Sequence, residues 1–311
     1  MGARSQQQDP LHDGGWQAVS AAGDYLELVR APAVLTVLGD TVAGGAAAGR
    51  ALSGRRALMP LASACLYAGG MALNDYADRD LDAEERPERP IPSGRISARS
   101  ALAAASALTA AGLGLCAAAG GRGALVVGVP LALSIWTYDL VAKNHALPGA
   151  VSMGTCRALD VLMGAGAGHL RQALGAAGIM GGHTAAVTLL SRGEVNGTDA
   201  ATASGAAATT GFLAASVVAG TAGPPARTLA VVGAAAAYAL RCAPAQMQAA
   251  RNPAAGNALN ATKAGIRAMV PLQAALTLRH GQPVAAAALI GVDIVGRIIR
   301  SRPRGRRVSE S

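Results

Sequence analysis

The chain alternates between long apolar blocks and short polar gaps. Crossing the bilayer core of about 30 Å takes about 20 helical residues, which is the length of these blocks. The blocks are continuous rather than alternating in polarity, so they predict helices rather than the strands of a barrel. The ten predicted spans cover residues 32–49, 57–77, 98–119, 123–141, 148–168, 173–190, 202–221, 226–246, 261–279 and 284–300. The last two are short and could form one re-entrant unit, so nine spans is an alternative.

Glycine and proline mark the ends of the blocks. Gly120-Gly121, Pro224-Pro225 and Gly281-Gln282-Pro283 lie between predicted spans and are typical of helix ends. The predicted fold is therefore all-α, a polytopic transmembrane bundle of nine to ten helices. We expect residues 26–300 to form this membrane domain, preceded by a polar, disordered tail over 1–25 and followed by a basic cytoplasmic tail over 301–311.

Composition agrees with a membrane protein. Hydrophobic residues make up 51% of the chain and charged residues only 14%, whereas soluble globular proteins carry about 25% charged residues. Charge this sparse cannot cover a soluble surface of this size. Alanine and glycine dominate the spans, and small residues allow membrane helices to pack closely.

The formal net charge of +9 is concentrated near one end of the chain. Arg297, Arg300 and the arginines of the tail follow an apolar block, which favours an anchor on anionic lipid over nucleic-acid binding. The first 25 residues lack an apolar core, so we expect no cleavable signal peptide. Most Lys and Arg residues fall in segments that are cytoplasmic if the N-terminus is inside, which predicts that orientation in the cell inner membrane. Three arginines in the first outer loop, Arg50, Arg55 and Arg56, argue against it.

An acidic motif follows the second predicted span directly. Asp75, Asp78 and Asp82 are spaced i, i+3 and i+7, so they share one helix face, and Asn74 borders it. Clustered carboxylates repel one another unless a cation lies among them, and hard oxygen ligands suit Mg²⁺. The alternative is a solvated acidic loop. Because the motif continues an apolar span, where carboxylates are costly, a functional role is favoured.

A proline-rich basic segment comes next. Three prolines between Arg86 and Arg95 end the helix and stiffen the loop. Arg86, Arg89 and Arg95 are candidates to bind diphosphate oxygens. Each of them could instead be a surface arginine of the cytoplasmic side.

The combined motif resembles the first aspartate motif of the UbiA prenyltransferase superfamily. The resemblance rests on Asn74-Asp75-x-x-Asp78-x-x-x-Asp82 followed by Arg89-Pro90-x-x-Ser93-Gly94, and the run through Arg95 looks closest to the EboC-like branch. It implies a helical bundle around a central cavity, with Asp75, Asp78 and Asp82 binding Mg²⁺ that bridges to a prenyl diphosphate.

The same resemblance implies roles for two residues after the fourth span. Tyr138 and Lys143 fit the family's Tyr and Lys positions, where the lysine neutralises diphosphate charge. Lys143 could also be only the basic flank of a membrane helix.

A second acidic motif of the form DxxxD is expected from the family after the sixth span. The chain has Glu194 and Asp199 there as candidate metal ligands, with Arg192 and Asn196 as candidate substrate contacts. Asp199 is one residue too distant for the pattern, although Asn196 can supply an oxygen ligand. A plain polar loop is the alternative.

Charged residues also fall inside predicted spans. Arg157 and Asp160 are spaced i and i+3, and charges at that depth tend to face a cavity. They are candidates for contacts to substrate, or form an ion pair that neutralises itself. We expect Asp40 to face the cavity and Asp293 to pair locally.

These features predict a Mg²⁺-dependent intramembrane prenyltransferase. It would move an isoprenyl group from a prenyl diphosphate to a small lipophilic or aromatic acceptor, with membrane lipids as surroundings and no nucleic-acid partner. Aromatic residues make up only 3% of the chain, although a carbocation favours nearby aromatic faces. The rival is a transporter or lipid-binding membrane protein without catalysis, which explains the spans but not the acidic motif and its basic loop.

Overall fold

The computed structural model describes residues 22–50 and 53–301, and all regular elements in these ranges are helices. Most of the predicted polar tail and nearly all of the predicted basic tail lie outside the described residues. After short helical segments at 22–28 and Ala31–Val34, the main helices are α1 Leu38–Ala47, α2 Met59–Ala77, α3 Arg79–Glu85, α4 Ala98–Leu140, α5 Ala146–Ala165, α6 Leu170–Ser191, α7 Ala200–Ala219, α8 Pro225–Arg251, α9 Ala255–Arg279 and α10 Pro283–Ser301.

The α4 segment folds back on itself. Gly121 has φ 64° and ψ −155°, a conformation that glycine adopts without steric cost, and it interrupts the helix there. Trp136 Nε1 donates to Thr109 Oγ1 at 3.2 Å, which joins the two halves as antiparallel neighbours. The predicted break at Gly120-Gly121 therefore separates the spans 98–119 and 123–141, as the sequence indicates.

The first predicted span, 32–49, is not one helix. Ala31–Val34 and α1 are separated by a turn at residues 35–37. The turn frees the carbonyl of Thr36, which accepts a hydrogen bond from Gln273 Nε2 at 2.8 Å. Arg157 Nη2 lies 3.4 Å from the same oxygen. Side chains of α5 and α9 thus satisfy a backbone group that a continuous helix would have satisfied itself.

Five of the described helices are long and apolar enough to cross a membrane: 54–77 (which includes α2), α4, α6, α7 and α8. Helix α1 has only 10 residues, and α5 and α9 carry polar residues on buried faces. The number of nine to ten spans is therefore not confirmed. The last two predicted spans are separate helices, α9 and α10, with a break at His280–Gln282.

Small residues bring α1 and α5 into contact at the centre of the bundle. An added Cβ at Gly44 would lie 1.8 Å from the Val161 carbonyl oxygen, and one at Gly164 would lie 2.1 Å from the Thr41 carbonyl oxygen. Only glycine permits so close an approach of two backbones. This contact positions one wall of the cavity described next.

Candidate functional site

A cavity of about 320 Å³ lies among the helices, within the lower part of the usual range of 300–1,000 Å³ for ligand sites. One end is polar and is formed by Arg30, Asn74, Tyr138, Asp139 and Glu194. The opposite end is formed by Ser63, Arg157 and Asp160, which we call the polar floor. The walls between them are largely apolar and include Leu66, Ile135, Met153, Val187 and Met269.

The three motif aspartates lie beside the first end. Helix α2 ends at Ala77 and α3 begins at Arg79, so Asp78 is the junction residue between the two helices. Asp75 and Asp82 are buried, and Arg89 bridges them with one Nη1, 3.3 Å from Asp75 Oδ1 and 2.6 Å from Asp82 Oδ2. Arg86 Nη1 lies 3.8 Å from the other oxygen of Asp82. The basic loop therefore folds back over the acidic motif.

Asp78 has a different partner. Lys143 Nζ lies 2.7 Å from Asp78 Oδ1 and 3.4 Å from the Asn74 carbonyl oxygen. Arg192 is exposed and donates to the Lys143 carbonyl oxygen at 3.1 Å. Each motif aspartate is thus neutralised by a base. Among residues 22–50 and 53–301, no three acidic, histidine or cysteine side chains stand close enough to hold a metal together.

Arg95 points away from the acidic motif. Its guanidinium binds Asp24 Oδ1 at 2.5 Å, Glu27 Oε2 at 2.8 Å and the Glu88 carbonyl oxygen at 2.7 Å. The hydrogen bonds from Arg95 to these carboxylates, with that to Glu27 the strongest, raise its pKa further. In this structure Arg95 anchors the segment 22–28 rather than a site for diphosphate.

One carboxylate of the loop after α6 lines the cavity. Glu194 lines it, and burial raises the pKa of this carboxyl, while the Thr262 hydroxyl and the nearby charge of Arg86 oppose the shift. Asp199 instead caps α7, accepting from Thr202 N at 2.8 Å and Thr202 Oγ1 at 2.6 Å. These hydrogen bonds lower the pKa of Asp199.

Glu194 and Asp199 are separated by one residue more than the DxxxD pattern allows. This extra residue explains why Glu194 lines the cavity while Asp199 caps α7. Gly197 has φ 91°, and Thr198 N donates to the Pro253 carbonyl oxygen at 2.9 Å, which ties the loop to the start of α9. Asn196 is exposed at the turn. Of the four residues predicted in this loop, only Glu194 lines the cavity.

Two residues at the same end were missed by sequence reasoning. Asp139 is 2% exposed and accepts from Asn74 Nδ2 at 3.1 Å. Arg30 Nη2 donates to Asp75 Oδ1 at 3.0 Å. A carboxylate inside a predicted span is itself a functional signal, so Asp139 could have been found beside Tyr138. Arg30 gave no such signal, because its placement depends on a left-handed turn, with φ 48°.

At the polar floor, Arg157 does not form its ion pair with Asp160. Its Nη1 donates to Asp40 Oδ2 on α1 at 2.6 Å, which corrects the local i, i+3 pair predicted from spacing. Asp160 Oδ2 accepts from Ser63 Oγ at 2.6 Å. Asp40 lies behind the cavity wall rather than facing the cavity. Asp293 pairs across helices with Arg241 of α8 at 3.0 Å.

Comparison with known proteins shows which sequences and structures this chain resembles. The chain is 37% identical over 145 residues to digeranylgeranylglyceryl phosphate synthase of Methanopyrus kandleri, covering 47% of this chain and 53% of that protein. It is 39% identical over 141 residues to the protein of the same name from Ignicoccus hospitalis, covering 45% and 46%. The chain thus spans about half the length of the curated relatives it matches.

A solved structure of a UbiA homologue from Archaeoglobus fulgidus bound to DMAPP and Mg²⁺ has the same fold. It aligns with a TM-score of 0.59 and 15% identity, covering 89% of this chain and 99% of that one. The model of the UbiA prenyltransferase family matches residues 36–259, which include both acidic loops and most of the residues that line the cavity. The chain therefore belongs to the UbiA prenyltransferase family.

Proposed function

We propose that this multi-pass membrane protein transfers an isoprenyl group from a prenyl diphosphate to a lipophilic acceptor, with Mg²⁺ as cofactor. The observation that carries the proposal is the acidic motif, with four basic partners, at one end of an apolar-walled cavity. The basic partners are Arg30, Arg86, Arg89 and Lys143. A diphosphate bound together with its metal ion needs carboxylates that ligate the metal and cationic side chains that bind the diphosphate oxygens.

The donor set fits Mg²⁺ by its chemistry. Asp75, Asp78 and Asp82 offer hard carboxylate oxygens, and Mg²⁺ is usually held by one or two carboxylates together with waters and substrate phosphates. When bound, Mg²⁺ would supply charge neutralisation at the leaving diphosphate. Arg89 and Lys143, which now occupy these carboxylates, would then turn to the diphosphate oxygens.

The basic side chains would act on the leaving group. As the C1–O bond of the allylic diphosphate breaks, negative charge grows on the diphosphate, and fixed cations such as Arg89 and Lys143 stabilise it. The acceptor forms its new bond to C1 and releases a proton. Tyr67 and Tyr138 line the cavity and offer aromatic faces to the allylic cation. The apolar walls exclude water, which would otherwise capture that cation.

Glu194 would supply the only carboxylate of the second loop. It is half-buried, lines the cavity and lies in the field of Arg86 and Arg30. The Asp199 carboxylate accepts the hydrogen bond that caps α7. The site we propose therefore has one full acidic motif, the buried Asp139 beside Asn74, and a single acid from the second loop.

The acceptor class is open to direct test. The curated relatives are named for a product that carries geranylgeranyl groups on a glyceryl phosphate, so a glyceryl phosphate lipid is one class to test. Small aromatic acceptors are the other class. Both need a cavity with apolar walls, which this chain has.

The test is incubation of membranes that contain the protein with labelled dimethylallyl, geranyl and geranylgeranyl diphosphates and Mg²⁺. Lipid-soluble products are identified by mass spectrometry. Asp75→Ala and Asp78→Ala should each abolish labelled product, and chelation of Mg²⁺ should do the same. Asp80→Ala is the matched control, since the Asp80 side chain is 86% exposed and forms its ion pair with Arg79.

Two outcomes would contradict the proposal. Full activity in Asp75→Ala or Asp78→Ala would remove the metal assignment. Absence of product from the wild type with every diphosphate, together with transport of a solute that depends on Asp40 or Arg157, would favour the transporter.

A further inference from the structure

The polar floor has buried hydrogen-bonding groups that the transfer step does not use. Ser63, Arg157 and Asp160 all line the cavity, and Arg157 and Asp160 are only 7% and 5% exposed. On α2, Ser63 precedes Asn74 by 11 residues, so the floor lies about 16 Å along the helix axis from the acidic end. At that distance the floor does not touch the reacting atoms.

The cation at the floor already has a carboxylate partner. The Arg157 guanidinium is paired with Asp40 at 2.6 Å, and Gln273 Nε2 donates to the second oxygen of Asp40 at 2.7 Å. An anionic ligand brought here would meet two carboxyl groups and a cation that is already paired.

One acceptor atom at the floor is unused. Ser63 occupies Asp160 Oδ2, but Asp160 Oδ1 receives no hydrogen bond from any donor among the described residues and is buried. A buried carboxyl oxygen without a donor is costly. A ligand hydroxyl would satisfy it, and a ligand carbonyl could accept from an N–H of Arg157.

We propose that the polar floor binds an uncharged hydrogen-bonding group, a hydroxyl or a carbonyl, at the end of the acceptor remote from the prenylated atom. The inference rests on the proposed function and makes Ser63 and Asp160 positioning residues for the acceptor. An isoprenyl chain has no polar group to offer, so it does not end at this floor. An acceptor whose remote end carries only a carboxylate or a phosphate is excluded.

The experiment uses membranes that contain the full chain, labelled geranylgeranyl diphosphate and a total membrane lipid extract as the source of acceptor. Product formation is measured while the extract and the diphosphate are varied separately. Asp160→Ala and Ser63→Ala should each raise the half-saturating amount of extract by about 10- to 100-fold, the effect of losing one hydrogen bond to a charged or buried group. The half-saturating diphosphate concentration should not change.

Thr210→Val is the matched control. Thr210 Oγ1 donates to Gln246 Oε1 at 2.9 Å, both side chains are buried, and neither lines the cavity. This variant loses a similar hydrogen bond elsewhere in the bundle, so it should resemble the Ser63→Ala variant in thermal unfolding but not in its response to the extract.

The experiment distinguishes failure of this inference from failure of the proposed function. A wild type that forms no labelled product removes both. An active wild type whose floor variants keep the same half-saturating amounts, or lose affinity for both substrates equally, overturns the acceptor subsite alone. Mass spectrometry adds a second criterion, because a product whose acceptor portion lacks any hydroxyl or carbonyl besides the prenylated atom also overturns it.

Discussion

Gly44→Ala should separate α1 from α5 and destabilise the protein. The new Cβ would lie 1.8 Å from the Val161 carbonyl oxygen, where real Cβ atoms essentially never come closer than 3.0 Å. The two backbones must therefore move apart by at least the difference of 1.2 Å. A movement of this size would lengthen the Arg157–Asp40 hydrogen bond, now 2.6 Å, beyond the usual limit of about 3.2 Å.

The magnitude follows from these two effects. Overpacking of a well-packed interior costs about 1–3 kcal/mol, and weakening a hydrogen bond between charged groups costs about 1.5–3 kcal/mol. We therefore expect Gly44→Ala to lower the free energy of unfolding by about 3–5 kcal/mol. Prenyl transfer should fall as well, because α5 carries Arg157 and Asp160 of the polar floor and α1 carries Asp40, the partner of Arg157.

The assay is thermal unfolding in detergent, compared with Gly178→Ala. Gly178 lies on α6 and an added Cβ there would meet nothing within 4 Å, so that variant should stay within about 1 kcal/mol of the wild type. If the two variants unfolded at the same temperature, the close contact between α1 and α5 would not be a determinant of stability, and the reasoning would be refuted.

Two further changes test the acidic end, and a third tests the anchor of residues 22–28. Lys143→Gln removes the ammonium 2.7 Å from Asp78 and should lower the turnover number at least about 100-fold while product identity stays the same, as measured with labelled diphosphate. Burial raises the pKa of Glu194, so stability should be highest below its ordinary pKa and should fall as the pH rises through the raised value; Glu194→Gln should flatten this dependence when thermal unfolding is measured at rising pH from about 4. Arg95→Ala removes the contacts to Asp24 and Glu27 and should speed hydrogen exchange over residues 22–28; unchanged exchange would show that this anchor is not needed.

The sequence predicts the features that depend on local pattern. The lengths of the apolar blocks, the break at Gly121 and the position of the acidic motif at the end of α2 follow from residue types and spacing alone. The proline-rich loop returns Arg86 and Arg89 to this motif, whereas the sequence indicated only that they are candidates to bind diphosphate oxygens. Local patterns carry this information because a helix fixes which neighbours share a face.

Features that depend on contacts between distant segments were not predictable. The partner of Arg157 is Asp40, 117 residues away, rather than Asp160 one turn away. The interruption of the span 32–49 depends on Gln273, which is 237 residues from Thr36. In the second loop, one extra residue before Asp199 places its carboxylate at the N-terminus of α7, where it caps the helix. Comparison with the family motif shows only that the spacing differs. Each of these outcomes is decided by packing between helices.

The left-handed conformation of Arg30 couples the start of the described chain to the acidic end of the cavity. A residue other than glycine held at φ 48° stores about 1–2 kcal/mol, and here the contact with Asp75 offsets that cost. A ligand that binds Asp75 removes this compensation, so occupancy of the cavity and the placement of residues 22–28 become thermodynamically reciprocal. A protein or lipid surface that captures residues 22–28 would thereby change the affinity of the cavity without ever entering it.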